Sequence, residues 1–249
     1  MVSDRGGEIN MSGGEIEPCP REERTASTGS VRPEMFPPDP ELEPLHVRDY
    51  AVRAWRISDD SILLRGAVMD LKPGAPFAAR IADAGGHDDG RPMVIHHMVI
   101  DLTVSFPSLT ITDASVVFEA FPQQGCPGIG SHYKQLIGMS IARGFTHEVR
   151  RCFGGPRGCT HTTALLQAMG PVAVQCIFSM LQPGGGPSSQ PGGGASQLSF
   201  MRDTCHVWSS EGELWQGVAA GRVTPIPLPM QRRLRDAGLD PEQVDSRLS

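Results

Sequence analysis

MVIHHMVIDLTV, residues 93–104, is the stretch whose alternation decides the fold. One set of its side chains is Val94, His96, Met98, Ile100, Leu102 and Val104; the other is Ile95, His97, Val99, Asp101 and Thr103. A period of two with one mostly apolar set is the pattern of a strand that buries one face. Phe106–Pro107–Ser108 turns the chain, and LTITDASVVFEAF (109–121) is another β-branched run. Upstream, residues 46–72 hold two extended segments on either side of Ser58–Asp59–Asp60. In the second of these, Ile62, Leu64, Gly66 and Val68 share a face. These readings combine into an antiparallel meander of at least four strands. Residues 73–92, rich in Pro, Gly and Asp, read as a long loop.

Past PQQGCPGIG (122–130) the period changes. Tyr133, Leu136, Ile137, Ile141 and Phe145 recur at helical spacing, which predicts a helix across HYKQLIGMSIARGF. A second helix is predicted over Thr160–Met169, with Thr160 as its N-cap, ending at Gly170–Pro171. The apolar segment 172–181 then reads as a further helix. Residues 183–197 (PGGGPSSQPGGGASQ) are a Gly/Pro/Ser linker. Beyond it, FMRDTCHVWSSEGELWQG reads as a β-hairpin turning at Ser210–Glu211–Gly212, and MQRRLRDAGL as a short polar helix. Strands first and helices afterwards define an α+β fold, an antiparallel meander followed by helices packed on the sheet. The divisions are a tail (1–44), a core domain (45–182), the linker (183–197) and a C-terminal hairpin and helix (198–249) packed on the core.

The chain has 249 residues and a formal net charge of −6. Residues 1–44 contain ten acidic and four basic residues, so the whole imbalance lies there. That segment is rich in Gly, Pro, Ser and Glu and has no structural period, the composition of a disordered acidic tail. The remainder is formally neutral, which gives nucleic-acid binding no support. No run of about 18 apolar residues is present, so no membrane span is expected. The start, MVSDRGGEIN, has no apolar core of a secretory signal. The expectation is a cytoplasmic protein without a membrane partner.

The chemistry-bearing residues are histidines and cysteines. Six cysteines occur, none in a CxxC pair. Without a signal segment they are expected as free thiols, and Cys176, in an apolar run, as a core thiol. Two histidines adjoin at His96–His97, and His and Cys come together at Cys126 with His132, at Cys159–Thr160–His161 and at Cys205–His206. Imidazole and thiolate are the ligands that zinc and iron prefer. Cys126 and Cys159 lie at expected helix starts, where backbone N–H groups favour a thiolate. Neighbours on a strand point oppositely, so His96 and His97 serve different faces. His96 shares its face with Met98, Ile100 and Leu102, the surroundings of a core histidine as well as of a ligand. His97 shares its face with Asp101, a pairing that suits acid–base work. Phosphate-loop, G-x-S-x-G and H-E-x-x-H motifs are absent.

The segments HVRDYAVRAW, GAVMDLKP, VIHHMVIDLTV, LIGMSIARGF, GCTHTTALL and DTCHVW together resemble the uncharacterised bacterial family called domain of unknown function 2889. That resemblance covers about 46–216 and implies a setting in small-molecule catabolism. A second, architectural resemblance is to iron–sulfur scaffold proteins of the IscU/NifU type, and implies a SufE/NifU-like arrangement. Met98, Ile100, Leu102 and Val104 fit that family's strand, Asp113–Ala114 its acidic-Ala pair, Gly125–Cys126 its second ligand and Cys159 its third. His96 falls on its Asp position and Val94 on its first Cys position, so one ligand is missing.

The resulting expectation is a mononuclear zinc or iron site made by His96 (or His97), Cys126 and Cys159, with His161 or water completing four-coordination. It would serve a small-molecule enzyme of hydrolase or lyase type, with His97 or Asp101 as general base. The alternatives are a non-catalytic metal or iron–sulfur carrier, and a metal-free enzyme with Cys126 or Cys159 as nucleophile.

Overall fold

The computed structural model describes residues 41–42, 44–180, 198–221 and 226–248. The expected linker, and the expected tail apart from residues 41, 42 and 44, lie outside the described residues.

Four strands form one antiparallel sheet in the order β1 (Val47–Ser58), β2 (Ser61–Lys72), β3 (Met93–Ser105) and β4 (Thr110–Ala120). The meander is thus as the alternation demands. One face carries Leu64, Val68, Met98, Ile100, Leu102, Val104, Ile111 and Ala114, all buried. Against it packs the long helix α3 (Thr160–Met180), through Leu165, Leu166, Met169, Ala173 and Ile177. The approach is close because β2 has no side chain at Gly66. A Cβ there would stand 2.6 Å from Sδ of Met169 and 3.0 Å from Cδ1 of Leu165.

Between Asp70 and Leu71 the β2–β3 register shifts. Asp70 pairs with His96 and Leu71 with Val94, which leaves Ile95 as an extra residue. Such a bulge re-aims side chains at a strand's end. It leaves Val94 exposed, while His96 continues the row of Met98 and Ile100.

The helical part differs from the sequence reading in four places. First, the expected loop 73–92 contains a helix, α1 (Ala75–Asp83), with Gly74 as its N-cap and Pro76 in its first turn, so these two residues open a helix rather than fill a loop. Second, no α-helix spans 132–145. Residues Cys126–Leu136 form a 3₁₀ segment that buries Tyr133 and Leu136. The chain then bonds along the start of β4, through Ile111 N–H to the Met139 carbonyl (3.0 Å) and Ile141 N–H to the Leu109 carbonyl (2.8 Å). Gly138 (φ 90°) and Gly144 (φ 66°) provide the left-handed backbone that ends each piece. The α-helix starts only at Phe145 (α2, Phe145–Phe153), where Phe145, Val149, Cys152 and Phe153 repeat at helical spacing.

Third, Gly170–Pro171 does not divide α3. Pro171 stands inside one continuous 21-residue helix. Gly170 is there for proximity, since a Cβ would lie 3.3 Å from the Phe145 ring. Fourth, residues 198–221 contain no strand. Two 3₁₀ turns (Ser199–Met201 and His206–Trp208) lead into a helix, Glu213–Ala219. Trp215 and Val218, three apart on that helix, cluster with Leu198 and Trp208. Helical spacing therefore prevails over the expected hairpin, and Gly212 precedes the helix where a turn was expected. The polar helix beyond it is Leu228–Asp236, followed by Pro241–Leu248.

Filling the Gly66 gap should separate α3 from the sheet. Gly66→Val is expected to lower unfolding free energy by about 2 kcal/mol, the usual size of overpacking in a tight core. Urea titration of the variant checks this; unchanged stability would show that α3 can shift freely.

Candidate functional site

Asp70 is charged, stands on the apolar face of β2 two residues beyond Val68, and is 1% exposed. An ionised carboxylate in that position must be paired. Arg48, its register partner on β1, supplies a fork, with Nε donating to Oδ1 (2.6 Å) and Nη2 to Oδ2 (2.7 Å). His46, just before β1, places Nε2 3.5 Å from Oδ1. The Arg48 fork, set against the opposing effect of burial, holds the Asp70 carboxyl far below the ordinary carboxylate range.

Two imidazoles meet the other side of the same carboxylate. Nδ1 of His96 lies 3.1 Å from Oδ2, and Nε2 of His161 lies 2.9 Å from it. The two rings stack, with centroids 3.9 Å apart and planes at 28°. His96 comes from the bulged end of β3, and His161 from the first turn of α3. Burial first, and then the charge of His96, push the His161 imidazole below its ordinary value, towards the neutral ring. Asp70, His96 and His161 each offer one ligand atom, with all three atoms within 4.8 Å of one another. Among the described residues this is the group able to hold a metal ion.

The start of α3 is fixed by a small polar network. The Cys159 N–H donates to the Tyr133 hydroxyl (2.8 Å), and Thr162 Oγ1 donates to the Cys159 carbonyl (2.9 Å). Tyr133 and Thr162 are also hydrogen-bonded through their hydroxyls. Thr163 bonds back to the Phe153 carbonyl at 2.9 Å, which ties α3 to the end of α2. No buried side-chain nitrogen or oxygen is unsatisfied among the described residues.

His96 and His161 of the sequence-derived ligand set come together, and Asp70 joins them. Cys159 lies against the far nitrogen of His161, its Sγ 3.6 Å from Nδ1, so it contacts a member of the group without belonging to it. Cys126 heads the 3₁₀ segment, half-buried, and is not in the group. His97 and Asp101 lie on the opposite face of the sheet. There Asp101 accepts a fork from Arg65, at 2.7 and 2.6 Å. Cys176 is half-buried on α3, and burial pushes its thiol up. Cys205 is exposed and His206 opens a 3₁₀ turn. The described cysteines are free thiols.

Sequence reasoning missed Asp70, Arg48 and His46. The signal for Asp70 was present: it continues the buried register of Leu64, Gly66 and Val68, where a charge needs a partner. Arg48 followed only once the β1–β2 register was known.

The family described as "Protein of unknown function (DUF2889)" matches residues 46–175, which include every member of the group. No curated protein and no solved structure matches the chain, so the IscU/NifU resemblance gains no support from either. No described helix is long and apolar enough to cross a membrane.

The Tyr133 network gives a local prediction. Tyr133→Phe leaves the Cys159 N–H without its acceptor and should cost about 1–2 kcal/mol of stability. Chemical denaturation measures this; no loss would show that another acceptor replaces the hydroxyl.

Proposed function

The chain belongs to the DUF2889 family, a description that names no activity, and from its own side chains we propose a mononuclear metal protein that binds zinc or iron through Asp70, His96 and His161. The observation that carries this reading is the convergence of three donors from three separate elements on one point, with Asp70 fully buried. Donors that share a metal at about 2.1 Å stand about 3.0–3.5 Å apart. Asp70 Oδ2 is 3.1 Å from His96 Nδ1 and 2.9 Å from His161 Nε2. Binding needs the stacked rings to splay, a soft rotation about χ2.

Two imidazoles and one carboxylate form the donor set of catalytic zinc and of non-haem ferrous sites, which keep coordination positions open. When bound, such a metal polarises a substrate oxygen or activates water. This supports a small-molecule enzyme of hydrolase or lyase type. The protein's own contribution is orientation. The Arg48 fork holds Asp70, and Cys159 Sγ faces the nitrogen of His161 that would not ligate, the position from which ligand tautomers are set.

A second reading rests on the same contacts. Cys159, His161 and Asp70 form a chain of thiol, imidazole and carboxylate, at 3.6 and 2.9 Å, as a cysteine nucleophile with base and orienter would.

Elemental analysis and calorimetric titration with zinc or ferrous ion separate the two. The metal reading expects about one ion per chain. Asp70→Ala and His161→Ala should lose at least about tenfold in affinity, whereas Cys126→Ser keeps the metal and Cys159→Ser, whose hydroxyl can still meet Nδ1 of His161, keeps most of the affinity. A protein that takes up no metal, and whose Cys159 alone is alkylated rapidly by iodoacetamide, would replace the first reading with the second.

A further inference from the structure

The charge inventory of the metal site points to the kind of molecule it receives. Resting on the metal reading above, we infer that the site takes an anionic, oxygen-donor small molecule, one bearing a carboxylate or a phosphate. Asp70 is the one carboxylate hydrogen-bonded or ion-paired within the group among the described residues, and Arg48 already neutralises it. The other two members, His96 and His161, are imidazoles, and ligating imidazoles are neutral. A divalent ion bound there would leave two positive charges uncompensated in a largely buried setting. A divalent ion held by two neutral histidines and one carboxylate with no arginine on it would keep one such charge instead of two.

The side open to solvent has matching chemistry. The ligands are more enclosed, with side-chain exposures of 21% for His96 and 12% for His161. His46 and Arg48, which meet the Oδ1 side of Asp70, are more exposed, at 36% and 38%. Arg48 meets Asp70 through Nε and Nη2, so Nη1 is not spent on that carboxylate. Guanidinium is the side chain best suited to planar oxyanions. The N-terminus of α3 stands next to the group, because His161 in its first turn reaches Asp70, and it adds partial positive charge there. An anion entering past His46 and Arg48 would therefore meet a cation, a helix start and the open positions of the metal in turn. With three protein donors, a four-coordinate zinc keeps one position for an oxygen of the anion, and an octahedral ferrous ion keeps three.

Calorimetry on full-length protein loaded with one equivalent of zinc tests this, with sodium oxalate, inorganic phosphate and neutral imidazole as separate titrants. Oxalate or phosphate should bind at least about tenfold more tightly than imidazole, and whichever anion binds better identifies the carboxylate or phosphoryl class. Arg48→Gln should act in opposite directions on the two ligands. Zinc affinity stays the same or rises, because a repelling cation is gone and the carboxylate is released. Anion affinity falls about tenfold. If that variant does not fold, His46→Gln serves instead, with an expected fall of about threefold in anion affinity and unchanged zinc content. Zinc binding with no preference for anions over imidazole overturns this inference alone. Failure of wild-type protein to bind zinc or iron overturns the metal reading and this inference with it. Zinc retained in Arg48→Gln with anion affinity unchanged would show that Arg48 only supports Asp70, and overturns its part in receiving the anion.

Discussion

A carboxylate with 1% of its surface exposed imposes the strictest condition on this molecule. Asp70 occupies a position that the alternation of β2 reserves for apolar side chains. Leaving it ionised there without partners would cost several kcal/mol. Three structural features answer that demand. The β1–β2 register puts Arg48 directly across from it. The extra residue at Ile95 brings His96 alongside. The docked start of α3 delivers His161. Each would look like a local irregularity by itself; together they surround one charge.

The fold was legible where a single period governed a segment. The alternation in 93–104 and 109–121 located β3 and β4, and Ser58–Asp59–Asp60 located the first turn. Legibility failed where glycine and proline had a meaning that spacing does not carry. Gly138 and Gly144 end segments in the left-handed region, whereas Gly170 sits inside a helix to admit the Phe145 ring. Pro76 begins a helix, and Pro171 stands within one. The residue type is the same in each pair, and only the neighbour across the fold distinguishes the roles.

The candidate site was half legible. His96 was singled out because it is one of two adjacent histidines on a mostly apolar strand, and His161 because imidazole next to thiol is a chemical pattern visible in one dimension. Cys126 and Cys159 were chosen on the same grounds, yet a cysteine near a helix start need not face its neighbour's ligand atoms. Cys159 meets His161 from behind, and Cys126 belongs to another turn of the chain. Asp70 was passed over because a lone aspartate near a strand's end reads as a solvated residue. Its burial depends on α3, whose His161 is 91 positions away. The general bases proposed from the sequence, His97 and Asp101, were assigned to the wrong side of the sheet for this group by the same alternation that located the strand. Asp101 instead braces the open face with Arg65.

That separation of 91 positions has a consequence for how the chain lives. The β-hairpins are local and can form early, whereas the helix start reaches Asp70 only when a long loop has closed. The unfolded chain therefore holds nothing of the site, and a ligand that needs both Asp70 and His161 recognises the finished fold alone. Such a ligand raises stability by RT ln(1 + [L]/Kd), a contribution that every strand and helix shares. A ligand held there would thereby tie the persistence of the protein to its own supply.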